Sequence, residues 1–246
     1  MISVDFKDKI VLITGGNSGA GETIVKEFLK TGATVLTTYN SSLPKSEDVR
    51  SYRYDQSDLD SVRQLVKKII NEYGKVDILV NNAGIYPARS LDKMSERDYD
   101  EMFDTNTKGV FFLSREIAKH MKDGSIINIS SINATNPASK LIHYGMSKAA
   151  VEMATRCLAY ELGPEIRVNC IAPGLIYKEG QEKFIPGWSE SYKERSALKK
   201  LVYPEDIADT AIFLASDLAK AITGQVITVD CGVSLAPYFY NYVEDE

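Results

Sequence analysis

Short apolar runs alternate along this chain with longer stretches whose apolar positions recur every three or four residues. The runs are 9–16 (KIVLITGG), 34–39 (TVLTTY), 49–54 (VRSYRY), 77–84 (DILVNNAG), 125–131 (SIINISS), 166–174 (IRVNCIAPG) and 225–232 (QVITVDCG). Several are nearly continuous in β-branched residues or leucine, the pattern of strands covered on both faces. Between them, Ile24, Val25, Phe28 and Leu29 hold helical spacing ahead of Gly32, a stop signal. The segment 58–73 repeats the theme with Leu59, Val62, Leu65, Val66, Ile69 and Ile70, and 98–121, 144–162 and 204–216 continue it. Strands alternating with helices predict an α/β fold, a parallel sheet wrapped on both faces by right-handed crossovers. No repeat, low-complexity tract or linker divides residues 1–246, so one domain is expected. The connection after Tyr39, NSSLPKSED, is shorter than the roughly 10–12 residues of a crossover with its helix; a loop or single turn is expected there.

Composition narrows the class without naming a function. The 246 residues are 44% hydrophobic and 26% charged with a formal net charge of −5, as in an ordinary globular protein. Mild acidity gives no electrostatic reason for nucleic-acid binding, and no basic block suggests a membrane surface. The N-terminal segment does not read as a signal peptide and no long apolar run reads as a membrane span, so the cytoplasm is the expected compartment. Cys157, Cys170 and Cys231 are odd in number and far apart. They fit neither a disulfide framework nor a zinc site and are expected to be small buried hydrophobes.

Candidate chemistry begins at TGGNSGAG, residues 14–21, between the first strand and the first helix. Gly15, Gly19 and Gly21 stand in a G-x-x-x-G-x-G spacing, with Asn17, Ser18 and Ala20 between them. Glycines permit a tight turn and close approach of backbone to a pyrophosphate, whose charge a helix N-terminus meets. A structural turn would also explain them; the flanking strand and helix favour the dinucleotide. At the end of the second strand, an acid would bond a ribose 2′-hydroxyl and repel a 2′-phosphate. Tyr39, Asn40, Ser41 and Ser42 supply no carboxylate, and no arginine stands among them. The balance leans toward NADP(H) over NAD(H).

Tyr144 and Lys148, in HYGMSKAA, lie one helical turn apart and share a helix face. An ordinary phenol, with a pKa of about 10, is a poor base at neutral pH; a neighbouring ammonium favours the phenolate. Taken alone, such a pair is also compatible with a solvated helix edge. His143, adjacent to Tyr144, is expected at the rim of any site, and His120 at an exposed helix end.

Together these segments resemble the classical short-chain dehydrogenase/reductase family over about Lys9 to Leu235. The matching motifs are TGGNSGAG, NNAG (81–84), Asn106 in DTNTKG, NISS (128–131), YGMSK (144–148), APG (172–174) and ITGQVITVD (222–230). The resemblance implies a Rossmann-type sheet of about seven parallel strands and a catalytic set of Asn106, Ser131, Tyr144 and Lys148. In that reading Tyr144 is the acid/base, Ser131 holds the substrate oxygen, Lys148 bonds the nicotinamide ribose, and Asn106 orders a water that relays protons. Asn106 alone would also suit a buried turn or helix kink. The resemblance further implies cofactor contacts from Asn82, Ala83, Gly84, Pro173, Gly174 and Ile176. Asp55, followed by Gln56, matches an adenine contact, although Asp55 would equally suit the cap of the helix near Asp58. The expected activity is NAD(P)-dependent interconversion of a ketone and a secondary alcohol, with a small-molecule substrate, no nucleic acid and no membrane. A homotetramer assembled through 98–121 and 144–162 is expected. A non-catalytic dinucleotide sensor is the alternative; extended sugar-nucleotide epimerases lack support, because their glycine spacing and larger C-terminal domain are missing.

Two departures stand out. Lys178 occupies the place, five residues beyond Pro173, where the family commonly has threonine, leaving backbone near Ile176 to hold a carboxamide. Residues 175–203 fall where the family places its substrate lid; Tyr177, Phe184, Trp188 and Tyr192 would either face an apolar substrate or pack the lid down. The aromatic and acidic tail 235–246 is expected to dock on a neighbouring subunit or close over its pocket.

Overall fold

The computed structural model describes residues 4–41, 49–183 and 186–235. All seven runs become strands: β1 Ile10–Ile13, β2 Thr34–Tyr39, β3 Arg50–Arg53, β4 Ile78–Asn81, β5 Gly124–Ile129, β6 Ile166–Pro173 and β7 Val226–Val229. They form one parallel sheet in the order β3-β2-β1-β4-β5-β6-β7. The order reverses between β1 and β4, the switch point at which such sheets open a crevice beyond their carboxyl ends.

Strand alternation explains the two cores. Val11, Ile13, Ile78, Val80, Ile127 and Ile171 project to one face, where they meet Ile24, Val25 and Phe28 of α1 (Gly19–Lys30). Their neighbours Leu12, Leu79, Ile126 and Val168 project to the other, against α2 (Leu59–Tyr73) and the later residues Leu113, Ile117, Leu158 and Ala159. Successive strand side chains point oppositely, so a run apolar at every position is what a sheet covered on both faces requires. Each such fully buried side chain contributes about 1.5–3 kcal/mol relative to exposure.

The predicted helix at 98–121 is not continuous. It comprises α3 (Glu96–Phe103), a π-helical turn (Asp104–Gly109) and α4 (Val110–Ala118). The break coincides with contacts from distant chain: Asn106 pairs with the Ile85 backbone, and Gly109 lies so close to Gln56 that an added Cβ would fall 2.1 Å from the Gln56 carbonyl oxygen. α5 (Ile142–Leu162) follows as one uninterrupted helix. The expected lid contains a short 3-10 turn (Gln181–Lys183) and α6 (Trp188–Arg195), before α7 (Pro204–Ala215) returns to pack on α1. Most of the connection after Tyr39, Phe184 and the tail beyond Leu235 lie outside the described residues. Among the described residues no helix is long and apolar enough to cross a membrane.

Cys170 is buried and Cys231 half-buried, but Cys157 is exposed, against expectation. It falls on the outer face of α5 with the exposed Met153 and Tyr160, four residues before and three after it.

Candidate active site

The glycine turn is held by side chains from three strands. The Gly16 amide donates to Thr37 Oγ1 at 3.0 Å and the Gly15 amide to Thr38 Oγ1 at 3.2 Å, anchoring the turn to β2. Thr14 Oγ1 accepts from the amides of Asn82 and Ala83, both at 3.0 Å, joining the turn to the end of β4. The Asn82 side chain is spent in this joint: its amide donates to the carbonyls of Thr14 and Gly15. Gly15 and Gly19 have φ of 67° and 56°, the left-handed region that glycine occupies without strain. At Gly19 an added Cβ would meet nothing within 4 Å, and the N-cap Ser18 makes no side-chain cap. The start of α1 is thus uncrowded at Gly19, and a helix N-terminus with room beside it suits a pyrophosphate. Ala20 continues the first turn of α1, and Gly21 is close-packed, its added Cβ only 2.3 Å from the Gly15 carbonyl oxygen.

At the ends of β2 and β3, Tyr39 is half-buried while Asn40 and Ser41 are exposed. Sheet register pairs Tyr39 with Arg53, an exposed arginine on the edge strand. No arginine follows Tyr39 along the chain; register with the neighbouring strand sets one alongside it. Asp55 folds back on its own turn, accepting from the Ser57 amide and hydroxyl, and Asp58 rather than Asp55 caps α2. Gln56 is buried, and its amide donates to Ala83 O at 3.1 Å and to Thr105 O at 2.8 Å. It ties the NNAG segment to the π-helical turn.

Asn106 is wholly buried in that turn. Its Nδ2 donates to Ile85 O and its Oδ1 accepts from the Ile85 amide, each at 2.8 Å. This two-sided bond fixes the backbone beyond Gly84, where an added Cβ would stand 3.0 Å from Asn106 Oδ1 and 3.5 Å from Lys148 Nζ. Gly84 is thus the spacer between Asn106 and Lys148, so the structure does bring these distant residues together.

Ser131 lies two residues beyond β5 in extended conformation, its Oγ accepting from the Asn133 amide at 3.1 Å. Tyr144 and Lys148 present the same face of α5: the ammonium is 5.8 Å from the phenol ring centre. Lys148 is buried, and Nζ donates to Ile129 O at 2.8 Å. Burial pushes its pKa down to about 8. An ammonium has three donors, so a buried one bonded to Ile129 has capacity for the hydroxyls of a ribose. Tyr144 departs from expectation. Its pKa lies above the ordinary phenol value because burial outweighs the opposing pull of the Ser131 hydroxyl. The Lys148 ammonium, 5.8 Å from the ring centre, does not offset this desolvation.

Beyond these four residues, Tyr86 presents a 70%-exposed ring edge-on to Tyr144 at 6.2 Å, an aromatic neighbour outside the sequence motifs. Its place directly after NNAGI was the available signal. His143 is fully buried, not at the rim; its pKa is lowered by desolvation, and neither ring nitrogen has a partner among the described residues. One residue along a helix turns the side chain by about 100°, which takes His143 out of the cleft that Tyr144 faces. His120 is exposed as expected.

Pro173 ends β6, and Gly174 is required for space: an added Cβ would lie 2.3 Å from Tyr192 Oη. Ile176 bridges to Val202, with the Tyr177 amide donating to Val202 O at 2.7 Å. Lys178 is exposed. The lid aromatics resolve in favour of packing: Trp188 and Tyr192 are buried, Trp188 lies 6.2 Å from Tyr177, and Tyr192 Oη donates to Asp230 O.

Residues 15–234 match the family model described as enoyl-(acyl carrier protein) reductase. The chain is 36% identical over 239 residues to the 3-oxoacyl-(acyl-carrier-protein) reductase FabG of Thermotoga maritima, covering 92% of this chain and 97% of that protein. It is 35% identical over 249 residues to the probable galactose dehydrogenase GalD of Rhizobium meliloti, covering 93% and 96%. Among solved structures, a short-chain dehydrogenase/reductase of Brucella melitensis, titled glucose/ribitol dehydrogenase, superposes with a TM-score of 0.87 at 30% identity, covering 94% and 99%. A short chain dehydrogenase of Burkholderia cenocepacia in complex with NADP superposes with a TM-score of 0.83 at 30% identity, covering 93% and 98%. The chain belongs to the short-chain dehydrogenase/reductase family.

Proposed function

We propose that this chain interconverts a ketone and a secondary alcohol using a nicotinamide dinucleotide, with Tyr144 as the acid/base. The observation that carries this reading is the meeting of Ser131, Tyr144 and a buried Lys148 at the carboxyl edge of the sheet, beside a glycine turn open at the N-terminus of α1. A dinucleotide sensor would use the glycine turn but has no use for a buried ammonium beside a phenol.

When bound, the nicotinamide supplies or accepts the hydride. Thr14, Asn82 and the two threonines of β2 hold the turn that cradles the pyrophosphate. Lys148 uses its spare donors on the ribose, and the segment from Asn82 to Gly84 lines the path between the two ends. For reduction, Ser131 donates to the carbonyl oxygen and Tyr144 gives that oxygen its proton. A phenol whose pKa is raised by burial is held in its acid form at neutral pH, as a proton donor must be. Alcohol oxidation requires the opposite, and there the positive charges of Lys148 and the oxidised ring are needed to favour phenolate. Asn106 supports a proton path from Lys148 by fixing the backbone at Ile85. Pro173, Gly174 and the backbone near Ile176 complete the nicotinamide side.

NADP(H) is the favoured cofactor. The end of β2 carries no acid to repel a 2′-phosphate, and Arg53 stands in register with Tyr39. The outer faces of α4 and α5, which expose Phe111, Met146, Met153 and Tyr160, suit assembly into a homotetramer. The test is absorbance assay with NADPH and NADH against a panel spanning 3-oxoacyl thioesters, aldoses and simple ketones. Turnover of any of them supports the reading; none with either cofactor, despite measured dinucleotide binding, leaves the sensor.

A further inference from the structure

Of the adjacent serines in NISS, Ser131 faces the candidate site and Ser130 remains without a role. Neighbouring residues of an extended strand point oppositely, so Ser130 turns away from the cleft, toward α5. It is 3% exposed, and its Oγ lies 3.0 Å from Glu152 Oε1 and 3.2 Å from Lys148 O. Glu152 follows Lys148 by four residues, on the next turn of the same helix face. It is 7% exposed, and no Lys or Arg forms an ion pair with it among the described residues. A buried carboxyl without a cation is costly to keep, and the mechanism above makes no use of it.

We propose that Glu152 and Ser130 are a positioning pair: the Glu152 carboxyl holds the Ser130 hydroxyl against the Lys148 carbonyl, which fixes Ser131 relative to Tyr144 and Lys148. The pair spans a junction of the site, since Ser131 follows the end of β5 while the phenol and ammonium belong to α5. On the β5 side, the Ser130 amide donates to Ile171 O at 2.7 Å, tying the same residue to β6. Ser130 thus has its backbone in the sheet and its side chain on the helix.

The single Ser130 hydroxyl proton has two acceptors within reach, the Glu152 carboxyl at 3.0 Å and the Lys148 carbonyl at 3.2 Å, and a three-centre bond shares it between them. A glutamine at position 152 keeps a carbonyl oxygen to accept from that hydroxyl; leucine offers no acceptor.

The significance of the pair rests on the proposed reaction, but its geometry can be tested separately. The variants are Glu152→Leu, Glu152→Gln and Ser130→Ala, each assayed for kcat, for NADPH affinity by fluorescence titration, and for the Ser131 Oγ to Tyr144 Oη separation by crystallography. Glu152→Leu and Ser130→Ala are expected to lower kcat by about tenfold to hundredfold, as small displacements of reacting groups do, with NADPH affinity retained and the separation widened. Glu152→Gln is expected to keep both kcat and separation. Wild-type kcat and separation in Glu152→Leu would overturn the proposal, as would a Glu152→Gln variant no better than Glu152→Leu. If the wild type turns over no carbonyl compound, the proposed function fails while the crystallographic separation still decides the role of the pair.

Discussion

The Lys148 ammonium lies 5.8 Å from the centre of the Tyr144 ring, yet it donates a hydrogen bond to the Ile129 carbonyl at 2.8 Å. One helical turn puts cation and phenol on the same face; the end of β5 decides where the cation points. Tyr144 is left as a half-buried phenol whose pKa desolvation raises.

Replacing Tyr144 by phenylalanine removes the proton donor and leaves the ring. Ketone reduction is expected to fall by about 10²–10⁴-fold, while titration of NADPH fluorescence shows affinity unchanged. Full turnover in this variant would exclude the phenol as the acid.

Lys148 should leave a signature in stability. Its pKa is about 8 in the fold against an ordinary value of 10.5, so between these values the unfolded chain binds more protons than the folded one. The cost of burying the charge is present in full below about pH 8 and lifts as the pH rises toward 10.5; stability from this group therefore increases across that window. The full effect is about 3 kcal/mol. Urea denaturation should show Lys148→Met more stable than wild type at pH 7.5, with the gap closing by pH 10. A gap independent of pH would mean that the ammonium is not desolvated.

Arg53 offers a test of cofactor choice. If it meets the 2′-phosphate, Arg53→Glu removes a charge-assisted hydrogen bond and adds repulsion. NADPH affinity is expected to fall by at least about tenfold with NADH affinity little changed, as read by fluorescence titration. Equal losses for both dinucleotides would place the arginine elsewhere.

Asn106→Ala strips both partners from the half-buried Ile85 backbone. Two unpaired groups predict a loss of about 2–4 kcal/mol by denaturant titration and a fall in turnover. A variant of native stability would show that the π-helical turn holds itself.

Strand runs were legible because a sheet covered on both faces writes itself as nearly unbroken apolar residues, as in Ile10–Ile13 and Ile78–Asn81. The glycine turn and the Tyr144–Lys148 spacing were legible for the same reason: each is a local rule within one or two turns of chain. Less accessible were features set by groups far apart in sequence. The break at 104–109 coincides with contacts from Gln56 and Ile85, the cation near Tyr39 depends on register with β3, and the burial of His143 depends on packing around the start of α5. Cys157 reads as core by composition, but the solvent face of α5 claims it.

Backbone periodicity and local turn chemistry therefore determined, from sequence alone, the α/β architecture and the identity of the phenol–ammonium pair. Tertiary structure decided the direction of the Lys148 ammonium, the raised pKa of Tyr144, the packing role of Trp188 and Tyr192, and the contact of Ser130 with Glu152. The physical reason is range. Periodicity reports which face of an element is dry, whereas desolvation and hydrogen bonding depend on which atoms from other elements arrive to face it.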